Sequence, residues 1–273
     1  MRAGPKSLRR SPPVFSLQGF KMQTDLDAQV YAQNLRSRLK KSEARLASWT
    51  KWPWHRKKVP RLLREMAHTN VVLGIELFNL DNVEASRAAF RKAISLRLRG
   101  EDLRPTKGPT YFDIQVISAG FCSGYCEDSE DLAGRMFESF DLSGEGLSGG
   151  RAVSGARHGT AALLGWMSKG SPSKIEELAS VSRDADSTLE QFRLWGICAY
   201  AGTLGDVRAL RDGIDQLASF AERQSRSGDF AYTEDRFVYL PGMGIVAVAI
   251  RDSLPVAIPQ FAQFPQALLH PCH

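Results

Sequence analysis

Residues 206–220 run Asp206-Val207-Arg208-Ala209-Leu210-Arg211-Asp212-Gly213-Ile214-Asp215-Gln216-Leu217-Ala218-Ser219-Phe220. Val207, Leu210, Ile214, Leu217 and Phe220 recur at steps of three, four, three and three. A helical period gathers them on one side and leaves the charged residues on the other. Asp206 stands where an N-cap belongs, because its carboxylate can accept from the free N–H groups of the first turn. Upstream, Phe192 to Thr203 is a second helical stretch, and Leu204-Gly205-Asp206 is short enough to fold the two into an antiparallel hairpin.

The same unit appears in the first half. From Gln23 to Ser48, the residues Leu26, Val30, Leu35, Leu39 and Leu46 mark one amphipathic surface helix, which Pro53 ends. Arg61 to Phe78 carries Leu62, Met66, Leu73 and Leu77 on one face. The acid of Asp81-Asn82-Val83-Glu84 then predicts an N-cap at Asp81 with Glu84 as its box partner. Ala85, Ala88, Ala89, Phe90, Ala93 and Ile94 follow on the buried side, which completes a second hairpin. Gly74, Phe90 and Ala93 fall at offsets used by tetratricopeptide repeats, but no second copy follows at that period, so they predict close helix packing.

Tyr111 to Tyr125 is apolar nearly all round (Phe112, Ile114, Val116, Ile117, Phe121) and predicts a buried central helix, and Leu132 to Phe140 a short one. Arg157 to Met167 is helical, and the boxes Ser173-Lys174-Ile175-Glu176 and Ser187-Thr188-Leu189-Glu190 predict two further starts. Strand signals are few: Ala231 to Leu240 is loop-like, and Pro255 to Pro259 allows only a short edge piece. Nothing alternates strand with helix or supplies a Gly-rich phosphate loop. The expected fold is all-α: antiparallel helical hairpins packed into one irregular bundle, with at most a short β piece near the C-terminus. Residues 1–20, with three prolines and no acid, read as a flexible basic leader. Residues 21–273 read as a single helical domain, and the Gly/Ser-rich 141–155 offers a subdomain break.

With 273 residues, 43% hydrophobic, the chain is not disordered on average. Its longest apolar run, Met243 to Ile250, is far too short for a membrane span. Four cysteines and no apolar leader predict a reducing, cytoplasmic setting and no membrane. Charge is uneven. Residues 1–64 hold 16 Lys+Arg against Asp25, Asp27 and Glu43, a net +13, and the rest of the chain is net −7. Such asymmetry marks either mutual attraction within one fold or an interaction surface.

Cys122 and Cys126, four apart on one expected helix, could share a face as metal ligands, but His158, Cys198, His270, Cys272 and His273 add no diagnostic spacing. Buried thiols are the simpler reading, and no metal or cofactor is expected. His68 and His158 have no nucleophile in a recognisable setting, and Glu176 and Glu177 sit where a helix dipole already favours acids. No catalytic group emerges, so a non-enzyme is expected. The most distinctive segment is W-T-K-W-P-W-H-R-K-K, residues 49–58. Trp52 and Trp54 with Arg56 and Lys57 offer the stacking and phosphate contacts used by single-strand binders. In the structural alternative, which a single such segment favours, the tryptophans pack the turn against the body. A helical nucleic-acid-binding or regulatory protein using residues 36–64 is thus the second functional reading.

The C-terminal stretch Asp235-Arg236-Phe237-Val238-Tyr239-Leu240-Pro241-Gly242-Met243-Gly244-Ile245-Val246-Ala247-Val248-Ala249, then Pro255-Val256-Ala257-Ile258 and Phe264-Pro265-Gln266-Ala267-Leu268-Leu269, resembles the ending of the immunity 49 family. That family neutralises toxins of bacterial polymorphic toxin systems. It ends with an aromatic-led lead-in to a Gly-containing apolar helix, a short Pro-Val piece and a tail containing Tyr-Leu-Pro. Here Phe264 replaces the tyrosine and the leucine before Pro265 is missing. The resemblance covers about 35 residues closely and the remainder in helical order only. It implies an all-α protein that binds and occludes a cognate protein toxin, with no active-site residue. A net-acidic body would suit a basic toxin such as a nuclease. On that reading Glu127, Asp128, Glu130 and Asp131, with Asp141 and Glu145 of the following loop, are the expected partner contacts.

Overall fold

A computed structural model describes residues 17–104, 108–140, 151–183, 190–228, 230 and 233–269. Within them the chain forms α1 (Leu17–Trp49), a short 3-10 turn (Pro53–Lys58), α2 (Val59–Asn79), α3 (Val83–Leu103), α4 (Tyr111–Cys122), α5 (Cys126–Glu138), α6 (Arg151–Met167), α7 (Pro172–Arg183), α8 (Glu190–Leu204), α9 (Val207–Ser227) and α10 (Leu240–Arg251). The fold is all-α, and no strand occurs among the described residues. Pro255 to Pro259 is irregular chain.

Local sequence fixes most of the starts. Asp206 accepts from the N–H of Ala209 at 3.0 Å, and Gly205 takes φ +67, which reverses the chain between α8 and α9. The α2–α3 turn differs from expectation. Asn82, not Asp81, is the N-cap and accepts from Ala85 N–H at 3.1 Å, while Asp81 is pushed to φ +56. Asn and Asp are comparable caps, so the extra left-handed residue decides which one reaches the helix end. α1 begins at Leu17, within the expected leader; residues 1–16 lie outside the described ones. The box Ser187 to Glu190 also falls largely outside them, and α7 starts at Pro172 rather than Ser173.

Two apolar clusters hold the molecule. The smaller joins the inner stripe of α1 (Ala32, Leu35, Leu39, Leu46) to α2 (Leu62, Leu63, Met66, Leu73, Leu77). The larger centres on α4 and α10 and includes residues on both sides of 141–155, such as Phe140 and Ala161. α10 is apolar on all sides, as a helix must be when it is enclosed all round. Tight approaches lock the hairpins: a Cβ on Gly74 would run into the Phe90 ring, so the tetratricopeptide-like residues do serve close packing. In the centre, a Cβ on Gly244 would strike Ser118 of α4, and one on Gly242 would strike Phe264.

Several polar groups in the core are paired, although the buried Ser86 and Ser118 hydroxyls have no hydrogen-bond partner among the described residues. Arg97 of α3 is fully buried; its Nε donates to Asp113 Oδ1 at 2.8 Å and its Nη1 to Glu101 Oε2 at 2.7 Å. Asp113 also accepts from Thr110 N–H and hydroxyl, closing the start of α4. Trp195 Nε1 donates to the Tyr239 hydroxyl at 2.9 Å, and burial raises that phenol well above its ordinary value. Tyr111 hydroxyl and Gln115 Nε2 both donate to the buried Asp235.

Candidate functional site

Three places could carry function. The first is a cleft of about 300 Å³ lined by Arg64, His68, Arg97, Thr110, Phe112 and Asp113. Phe112 was expected in the core; instead it stands exposed at the rim with His68 edge-on to its ring at 4.3 Å. Partial burial, then the neighbouring Arg97, lower the Arg64 pKa. The cleft's buried cation is already neutralised by Asp113 and Glu101, and none of the six side chains named is poised as a nucleophile.

Cys122 and Cys126 do not share one helix. The helix breaks at Gly124 (φ +78), so Cys122 ends α4 and Cys126 begins α5 on a different axis. Cys122 is a free, buried thiol, and burial pushes its pKa up to about 12; Cys198 is likewise buried and raised. Both are inert apolar fillers rather than thiolates. Cys126 is disulfide-bonded, which is at odds with the reducing setting read from the cysteine count. No group of three His, Cys, Asp or Glu suited to a metal occurs among the described residues.

The second place is the acidic run 127–131. It lies in the first turns of α5, which starts six residues before the expected short helix. Glu130 is held by Arg251 Nη1 at 3.0 Å and Lys169 Nζ at 3.3 Å. Arg251 itself donates to Asp252 and the Met167 carbonyl and covers the Phe121 ring. Asp131 pairs with Arg135, which also binds Asp102; the hydrogen bonds that its guanidinium donates to these two carboxylates raise the Arg135 pKa. Glu127 is exposed and Asp128 half-buried; neither is in an ion pair among the described residues. Asp141 and Glu145 lie outside the described residues.

The third place is the turn after α1. Trp49 is half-buried, with His55 stacked on it at 5.5 Å and Arg45 and Lys58 over its ring. Trp52 and Trp54 do not pack on the body. They stack on each other at 4.8 Å and remain 49% and 66% exposed. Lys51, Arg56, Lys57 and Lys58 surround them, all exposed and in no ion pair among the described residues. Three further cations lead to this turn. Arg38, Lys41 and Arg45 stand at i, i+3 and i+7 on one exposed flank of α1. That spacing was in the sequence and could have been found beside the apolar stripe.

The chain matches no family model, no curated protein and no solved structure. None of the described helices is long and apolar enough to cross a membrane.

Proposed function

We propose that this chain is a non-enzymatic immunity protein that binds a cognate secreted toxin of a bacterial polymorphic toxin system and neutralises it by occlusion. The observation that carries the reading is where the family-like ending sits. Val238, Tyr239, Leu240 and the whole of α10 up to Ala249 are buried, Phe264 closes on Gly242, and Leu268 is buried beside them. Residues so placed resemble a family because they specify a fold, as expected when function resides in a variable exterior rather than in a shared reactive centre. The helix-built surface suits a preformed binding face. Glu127 and Asp128, in no ion pair among the described residues, are the part of the acidic cluster left to attract a basic toxin such as a nuclease; Glu130 and Asp131 are engaged in ion pairs. The encounter is proposed for the cytoplasm.

The test is a tagged pull-down from source cells after nuclease treatment, with the product of the adjacent gene co-expressed. The expected result is a stoichiometric protein partner, toxic alone and harmless in the complex. Recovery of no such partner would overturn the reading.

A further inference from the structure

Independently of the toxin reading, we propose that the Arg38–Lys41–Arg45 flank of α1 and the Trp52–Trp54 turn form one docking strip for single-stranded nucleic acid. Residues 36–58 carry nine Lys or Arg and one acid, Glu43, which is already paired with Lys92. Along α1 the rise per residue sets Arg38, Lys41 and Arg45 about 4.5 and 6 Å apart, a spacing at which successive backbone phosphates can each meet a cation. Trp49 is held by His55 and covered by Arg45 and Lys58, so it anchors the turn to the helix. Beyond it, the stacked pair Trp52 and Trp54 remains largely exposed.

The composition favours a polyanion over a protein partner. Five of the nine cations are lysines, a residue depleted from protein interfaces, where Trp would instead be enclosed in a pocket. It favours a single strand over a duplex, because only unstacked bases offer a face to Trp52 and Trp54. Phosphates would lie on Arg38, Lys41, Arg45, Arg56 and Lys57, and bases on the indoles. The contact carries no sequence code, as expected for stacking and charge alone.

The full-length chain is titrated into a fluorescein-labelled oligothymidylate and an oligouridylate, each about 20 nucleotides long, between about 50 and 200 mM KCl, with anisotropy as the readout. Binding is expected to weaken steeply with salt. W52A/W54A should weaken it at least about tenfold at each salt while keeping the slope. R38A/K41A/R45A should flatten the log–log slope by about 2, from three lost single-strand phosphate contacts. Circular dichroism checks that both variants fold, and capture of the adjacent gene product in the same variants separates this strip from the toxin contact. No anisotropy change at the lowest salt, binding that survives both variants, or preference for a duplex of the same length would overturn the strip; selective loss of the protein partner instead would assign it to that partner.

Discussion

The acidic start of α5 and the basic turn after α1 look alike as strings: four acids within 127–131, four cations within 51–58. In space they are opposites. Glu130 meets Lys169 and Arg251, 39 and 121 positions away, and Asp131 shares Arg135 with Asp102. Among the described residues the cations of the turn are in no ion pair, and its tryptophans stack on each other instead of entering the core. A run of like charge becomes a binding surface only when the fold brings it no countercharge, and that depends on residues remote in sequence.

Four perturbations sharpen this contrast. The largest effect belongs to an ion cluster that is wholly internal. Arg97→Met leaves Asp113 and Glu101 buried without their cation and should cost about 3–5 kcal/mol by urea unfolding. An unchanged midpoint would show the cluster to be dispensable. Arg251→Met at the acidic site should cost less, about 2 kcal/mol, because Glu130 and Asp252 stay partly solvated. A loss within the noise would place Glu130 back among the expected contact residues.

The alkaline limb depends on neither surface. Cys122, Cys198 and Tyr239 have pKa values raised by burial, so the folded state keeps their protons after the unfolded chain has released them. Their contribution is complete below the unfolded values and is lost as pH rises: each thiol takes away about 1.4 kcal/mol per pH unit from about pH 9 towards 12. Unfolding free energies from pH 7 to 11 should therefore fall above 9, equally in wild type and in W52A/W54A. A flat profile would contradict buried, protonated thiols. The smallest effects are expected at the turn itself. Trp52→Ala, Trp54→Ala and Lys57→Ala should each change stability by less than about 0.5 kcal/mol, since all three are exposed and the indoles stack mainly on each other. A loss above about 1 kcal/mol for either tryptophan would restore the packing role that the sequence favoured.

What could be read in advance divides along the same line. The helices were legible because the 3.6-residue period is local: the Val207 to Phe220 stripe and the Asp206 cap appear where expected, and α4 and α9 lie close to their expected spans. One-residue decisions were not. Asn82 displaced Asp81 as cap, and Gly124 broke the helix that would have aligned Cys122 with Cys126. Both follow from backbone φ values that residue types only permit. The candidate surfaces were the least legible. The exposure of Trp52 and Trp54 depends on the geometry of the 3-10 turn after α1, and the neutralisation of Glu130 on a helix that begins more than a hundred residues later.

The central claim is that this chain acts by binding a toxic partner. It is tested most directly by growth of a host expressing the adjacent gene product, the proposed toxin, with and without the chain. The account predicts arrest without the chain, and growth with it through a complex that survives gel filtration. Continued arrest despite folded, soluble chain would contradict it.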